Sequence, residues 1–329
     1  MTSLEKWKLA VVGLLVSVLL SACSSAETNF SVNKASGDFP EPAAGVPFLT
    51  FRDAANEEIK LLSKPEKIVV LNTEALPLFY QLGGKAAGVA TAAGTVMPKG
   101  AETAEQVGEI QAVSLEKIIS LKPDLVIGQS FFHAGLREPL GESGIPLALT
   151  KIDNYDKVMK AAVLFGRLLG KEQEAEKAVK ETEARIKAIV DKAPGEGPSF
   201  AAITIMPMGV SIQKSGTLTL DIAGRLKLRN IADQMPEGDF PGSVPYSIES
   251  LIAADPDYLF LVVHGTEEAG RKKLKEDMES NPAWSSLRAV KNGKLAFLPS
   301  EFVNNPGLEL DRPFFYLARL VYPDAFKGE

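Results

Sequence analysis

The sequence predicts an α/β protein of two similar lobes, each with a parallel-stranded sheet, joined by a single long rigid helix. Three observations carry this reading. Short apolar runs alternate with stretches of helical periodicity, the pattern of parallel α/β folds. One capped helix, proline stop and apolar strand occurs twice, once in each half. Between the copies lies a charged run, Lys171–Lys192, without glycine or proline.

In the first half the apolar runs Lys67–Leu71 (KIVVL), Ala86–Ala90, Asp124–Gly128 and Pro146–Thr150 read as strands. In the second half Phe200–Ile205, Tyr258–Val263 and Lys294–Leu298 do the same. Glu74–Leu82, Ser114–Leu121 and Ser247–Ala253 have the apolar spacing of helices. Ser114 and Ser247 are good N-caps, and Lys122-Pro123 and Asp255-Pro256 end those helices because proline cannot continue them. The repeat aligns without a gap: Ser114 with Ser247, Glu116 with Glu249, Ile119 with Ile252, Pro123 with Pro256, Asp124 with Asp257. Lys171–Lys192 consists mostly of strong helix formers and is expected to form a helix of about 33 Å, with Asn154–Gly170 helical before it. These signals place an N-terminal lobe at 47–153, linking helices at 154–195 and a C-terminal lobe at 196–329.

The start of the chain belongs to no lobe. Lys6 and Lys8 precede an apolar run, Leu9–Leu20, too short to span a bilayer. Such a segment reads as a secretory signal over 1–22. Leu20-Ser21-Ala22-Cys23 resembles the lipobox of bacterial lipoproteins. That resemblance implies lipidation of Cys23, the chain's single cysteine, and an extracytoplasmic protein anchored to the cell membrane. Residues 23–46, rich in small and polar residues, are expected to be a flexible tether.

Composition excludes several functions. The net charge of −6 leaves no broad basic footprint for nucleic acid. One cysteine permits no intramolecular disulfide and no cysteine metal cage, and two histidines permit no three-histidine site. No G-x-S-x-G, H-E-x-x-H, P-loop or G-x-G-x-x-G motif is present, so an enzyme is not expected. Ligands of parallel α/β sheets bind beyond the carboxyl ends of the strands. Here those ends carry Asn72, Gln129–His133 with Phe131 and Phe132, Met206 and Met208, His264-Gly265, and Asn304-Asn305. Both histidines, His133 and His264, therefore fall in strand-end loops, one per lobe.

PEKIVVLNTEALPLFYQLG, VGEIQAVSLEKIISLKPDLVIG and SIESLIAADPDYLFLV together resemble the substrate-binding proteins of iron-siderophore, haem and cobalamin ABC importers. The resemblance implies a ligand cleft between the lobes, no intrinsic cofactor, and a monomer whose partners are a permease and its cytoplasmic ATPase. It further implies that Glu116 and Glu249 dock into basic pockets of the permease. The stretch VVHGTEEAGRKKLKEDMESNPAWSSLRAVKNGKLAFLP is similar to Gram-positive haem-receptor lipoproteins, in which the histidine of the HG pair ligates haem iron. His264 matches that position. Gln111 stands where those receptors carry a second, methionine ligand. The iron would then have one protein ligand, or a second from Met97, His133 or Met208. Phe131, Phe132, Met206 and Met208 would wall the macrocycle, and Asn304 or Asn305 would meet its propionates. Haem is the first expected ligand, a ferric siderophore the second, cobalamin the third. A lipid-anchored hydrolase or sensor on the same scaffold is the alternative from another class.

Overall fold

The computed structural model describes residues 46–328. The secretory signal, the lipobox cysteine Cys23 and nearly all of the tether lie outside the described residues.

The apolar runs form two sheets. The first has the order Ala112–Val113, Glu105–Glu109, Ala86–Thr91, Ile68–Val70, Leu125–Gln129, Leu147–Thr150. All its neighbours are parallel except Glu105–Glu109 with Ala112–Val113, which form a hairpin. The second has the order Ser243–Pro245, Gly209–Gln213, Ser199–Met206, Tyr258–Val263, Leu295–Phe297, and the short strand Arg229–Asn230 also pairs with Ser199–Met206. Its centre is parallel, while Gly209–Gln213 runs antiparallel to both of its neighbours. A separate hairpin joins Leu49–Arg52 to Glu58–Leu61.

Central strands buried on both faces need apolar residues at every position. Successive side chains then enter different cores. Ile68 and Val70 face one hydrophobic cluster, and Val69 and Leu71 face another. Phe200 and Ala202 join the first of these, while Ala201 and Ile203 belong to a third. The inner faces of both sheets thus share one continuous core, and each sheet has a separate outer core.

The sequence repeat has a structural meaning. Ser114 Oγ accepts from the Lys117 N–H at 3.2 Å and caps helix Leu115–Ser120. Ser247 Oγ accepts from the Ser250 N–H at 3.2 Å and caps Ile248–Ala254. Lys122 (φ 49°) and Asp255 (φ 38°) both turn left-handed before their prolines, where the α region is disfavoured. The aspartate after each proline then fixes the start of the neighbouring strand. Asp124 Oδ2 accepts from the Glu66 and Lys67 N–H groups, both at 2.8 Å. Asp257 Oδ2 accepts from Ser199 N–H at 2.9 Å and Ser199 Oγ–H at 2.7 Å.

The bridge between the sheets is a pair of helices. Asn154 caps Tyr155–Leu169 by accepting from the Lys157 N–H at 2.9 Å, and Gly170 ends that helix at φ 69°. Glu172–Val190 follows; its 19 residues span about 28 Å. The two pack so closely that a Cβ on Gly166 would lie 2.3 Å from Ala175 Cβ. Ala175, Val179, Thr182 and Ile186 form the buried stripe of the second helix, at the spacing of one helical face. On the C-terminal side Thr182 Oγ donates to Leu308 O at 2.9 Å, and Arg185 pairs with Asp311 at 3.1 Å. Phe165 on the first helix and Phe314 on the C-terminal helix Asp311–Val321 complete the shared core.

Candidate ligand site

The carboxyl edges of the two sheets meet along a seam. On the first lobe it is entered by the segment after Ala86–Thr91, on the second by the loops after Tyr258–Val263 and Leu295–Phe297. Gly94 (φ 78°) packs against the Gly265 backbone so tightly that a Cβ would come within 2.7 Å of the Gly265 oxygen. Thr95 Oγ1 donates to Asn304 Oδ1 at 3.3 Å, and Asn304 Nδ2 reaches Gly94 O at 3.5 Å. Further along, Gln81 Nε2 donates to Pro306 O at 2.8 Å, and its Oε1 accepts from Leu308 N–H at 2.7 Å. These bonds join residues more than 200 positions apart and hold the lobes edge to edge.

His264 follows Tyr258–Val263, and its backbone N–H donates to Ile205 O at 2.9 Å. Its side chain is open to solvent, yet the crowding of the seam desolvates it and holds its pKa below the usual imidazole value. Among the described residues no hydrogen bond engages the ring. An uncharged imidazole with both nitrogens unengaged is the state that ligates a metal. Met208 lies at the turn between Ser199–Met206 and Gly209–Gln213 and is 77% exposed. Met206 closes the first of these strands and is partly buried. On the facing lobe Phe131 is 80% exposed, and Phe132 meets it edge-on at 4.9 Å.

Other candidates have different roles. His133 is buried; Nδ1 accepts from the Gln129 N–H at 2.9 Å, and Nε2 lies 2.9 Å from Ile110 O, so both ring nitrogens are occupied. Burial holds its pKa low, which fits a neutral ring donating from Nε2. It locks the strand end to the turn Ile110-Gln111 and has no lone pair left for iron. Asn72 is buried as well. Its Nδ2 donates to Thr150 Oγ1 at 2.8 Å and its Oδ1 accepts from the Glu74 N–H at 3.0 Å, so it orders the loop instead of facing a ligand. Met97 packs against the shared core. Gln111 sits exposed at the tip of the Glu105–Val113 hairpin. Asn305 is buried with Oδ1 accepting from Gly307 N–H, while Nδ2 has no partner among the described residues.

The structure adds Glu74, which the sequence reading counted only as the start of a helix. It follows the strand Ile68–Val70, beside Gln129 at the end of Leu125–Gln129. Burial pushes its carboxyl up to about 7, reinforced by Asp153 and opposed by Gln129 and Lys151. Glu116 and Glu249 are exposed in the first turns of the two repeated helices. Surface grooves of about 390 and 440 Å³ lie on the charged face of Glu172–Val190 and along the last strand of the first sheet, the second reaching Thr150 and Lys151. Among the described residues no group of three or more acidic, histidine or cysteine side chains is placed to hold a metal ion.

Known proteins agree with this architecture. The chain is 28% identical over 327 residues to the uncharacterized ABC transporter substrate-binding lipoprotein YvrC of Bacillus subtilis, covering 95% of this chain and 96% of that one. It is 31% identical over 295 residues to a cobalamin-binding protein of Halobacterium salinarum, covering 83% and 74%. The fold matches S. aureus IsdE complexed with heme with a TM-score of 0.67 at 17% identity, covering 78% of this chain and 98% of that one. The family described as periplasmic binding protein matches residues 68–302. The chain belongs to that family, and it is a binding protein, not an enzyme.

Proposed function

We propose that this chain is the extracytoplasmic substrate-binding component of an ABC importer, that it is anchored through a lipid on Cys23, and that it captures haem for delivery to a permease and its ATPase. The observation that carries the ligand is His264, an uncharged and unengaged imidazole at the meeting edge of the lobes. Imidazole suits iron, and exposed Phe131, Phe132 and Met208 suit an apolar macrocycle. With Gln111 in place of a thioether and His133 fully engaged, the reading is a five-coordinate iron held by His264 alone.

Charge separates this reading from ferric citrate and other polyanionic chelates. Chelates with more carboxylates than haem's two propionates call for arginine forks. No arginine falls in the segments 72–75, 91–98, 129–133, 206–209, 264–266 or 299–306. Two of the nearby lysines are engaged: Lys151 pairs with Asp153 at 3.1 Å, and Lys214 Nζ donates to the carbonyls of Ala232, Asp233 and Met235. Strand-end segments without arginine also suit uncharged cobalamin, the second reading, which the cobalamin-binding relative supports.

Titration with haemin, cyanocobalamin and ferric citrate separates the three. Haemin is expected to give a Soret band with high-spin features. His264→Ala is expected to weaken haemin binding by roughly tenfold or more and to change the spin state. An unchanged spectrum and affinity in His264→Ala removes the ligation, and binding of cyanocobalamin in place of haemin moves the assignment to the corrinoid. For the anchor, Cys23→Ala is expected to lose labelled fatty acid and leave the membrane fraction; equal label on both proteins rules out lipidation at Cys23.

A further inference from the structure

Hydrogen bonds tie together the strand-end segments around Glu74. Asn72 donates through Nδ2 to Thr150 Oγ1, which donates to Gly128 O at 2.9 Å. Asn72 Oδ1 accepts from the Glu74 backbone N–H. The Gln129 backbone N–H donates to His133, whose other nitrogen meets Ile110 O. Lys151 and Lys157 both pair with Asp153. One atom is left over: Gln129 Oε1 is buried and has no hydrogen-bond partner among the described residues. Leaving a buried acceptor unsatisfied is costly, and native structures rarely do so. The Gln129 side chain lies beside the Glu74 carboxyl, and a carboxyl that holds a proton can donate to Oε1 where a carboxylate cannot.

We propose that Glu74 and Gln129 form an acid–amide pair, the Glu74 O–H donating to Gln129 Oε1 and the Gln129 amide N–H donating back, and that loss of this proton switches the first lobe's side of the seam from neutral to negative. The charged groups that act on Glu74 are Asp153 and Lys151, from the segment after Leu147–Thr150. The other packed segments contribute Asn72, Thr73, Gln129, Ser130 and the neutral His133. Burial resists ionisation, Asp153 resists it further, and Lys151 is compromised as a counter-charge by its own pairing with Asp153. The consequence for ligand capture rests on the function proposed above: an anionic chelate meets a neutral wall below the switch and a repelling one above it.

The pair is tested first without any ligand. Infrared difference spectra of the protein in heavy water are expected to show a protonated-carboxyl band at pH 6 that titrates away near pH 7 and is missing from Glu74→Gln. Asp153→Asn is expected to move the midpoint down, because it removes a repelling charge and frees Lys151. The folded-state pKa lies above the unfolded one, so the folded protein binds more protons between about 4.5 and 7. Wild type is therefore expected to lose urea stability relative to Glu74→Gln as pH rises through that window, then to run parallel to it. A band that titrates in the ordinary carboxylate range, or one that survives in Glu74→Gln, overturns the pair; should Glu74→Gln fail to fold, the wild-type midpoint and its response to Asp153→Asn still decide. Haemin affinity at pH 6 and pH 8 forms the second arm. Wild type is expected to bind several-fold more weakly at pH 8 than the pH response of Glu74→Gln accounts for. Identical pH responses overturn the link to ligand capture, whereas absence of haemin binding overturns the proposed function and leaves the infrared result to judge the pair.

Discussion

Replacing Glu116 and Glu249 together by arginine is expected to abolish uptake in cells while the purified protein keeps its ligand affinity. Both carboxylates are exposed, and each sits in the first turn of a helix capped by serine. Its own backbone N–H and then Ser247 Oγ, at 2.9 Å, donate to the Glu249 carboxylate and hold its pKa below the usual value. Each helix runs back from a sheet's carboxyl edge to the start of the next parallel strand, Leu125–Gln129 or Tyr258–Val263. Both helices therefore begin near a carboxyl edge, one in each lobe, with an exposed glutamate in the first turn. Such a pair can set the register of a permease over the ligand. Reversing both signs puts like charges against a basic partner at a cost on the order of several kcal/mol. Normal uptake by the double variant would refute docking, and lost affinity would move the glutamates into the ligand site. Each single reversal is expected to impair uptake partially, since one anchor remains.

Much of this arrangement was legible in the sequence because strong physical constraints leave strong patterns. Buried parallel strands such as Tyr258–Val263 require uninterrupted apolar runs, and that strand has the boundaries its composition suggests. The serine caps and Pro-Asp stops were legible for the same reason, and the structure adds why the aspartates recur. Strands at the sheet margins left little signal. Glu105–Glu109 (EQVGE) buries Val107 alone, and Ser243–Pro245 contains a proline on an edge. The long bridging helix was visible as a run of helix formers. Its close packing on Tyr155–Leu169 depends on Gly166 meeting Ala175, a coincidence of two helices that no local pattern reveals.

The ligand site was legible in outline only. Strand ends can be counted from sequence, which placed both histidines correctly at carboxyl edges. Whether a side chain there faces ligand or protein depends on partners distant in sequence. His133 is consumed by Ile110, 23 positions away, and Asn72 by Thr150, 78 positions away. Glu74 escaped notice for the converse reason: in sequence it is an ordinary carboxylate near a helix start, and only the packing of Gln129 and Asp153 around it makes it unusual.

Phe165→Ala is expected to cost about 3–5 kcal/mol of stability, the range for truncating a fully buried phenylalanine, and to weaken both lobes together. Phe165 is completely buried on the bridge helix Tyr155–Leu169 and meets Phe79 of the first lobe edge-on at 5.9 Å. It belongs to the cluster that also holds Phe200 and Phe260 from the second sheet. A cavity at this point removes contacts from the one core to which both sheets contribute. Coupling of this kind gives one cooperative transition instead of two. The reporter is already in place. Trp284 is the single tryptophan within residues 46–328 and lies in the outer core of the second lobe, far in sequence from the mutated helix. Its fluorescence midpoint in urea is expected to fall by as much as the far-ultraviolet circular dichroism midpoint, which reports on the whole chain. If the dichroism transition splits and the Trp284 midpoint stays in place, the lobes unfold independently and the shared core does not couple them. A coincident fall would mean instead that the seam is held between two parts of one rigid body, with the ligand gripped by loops at the edge of a common core.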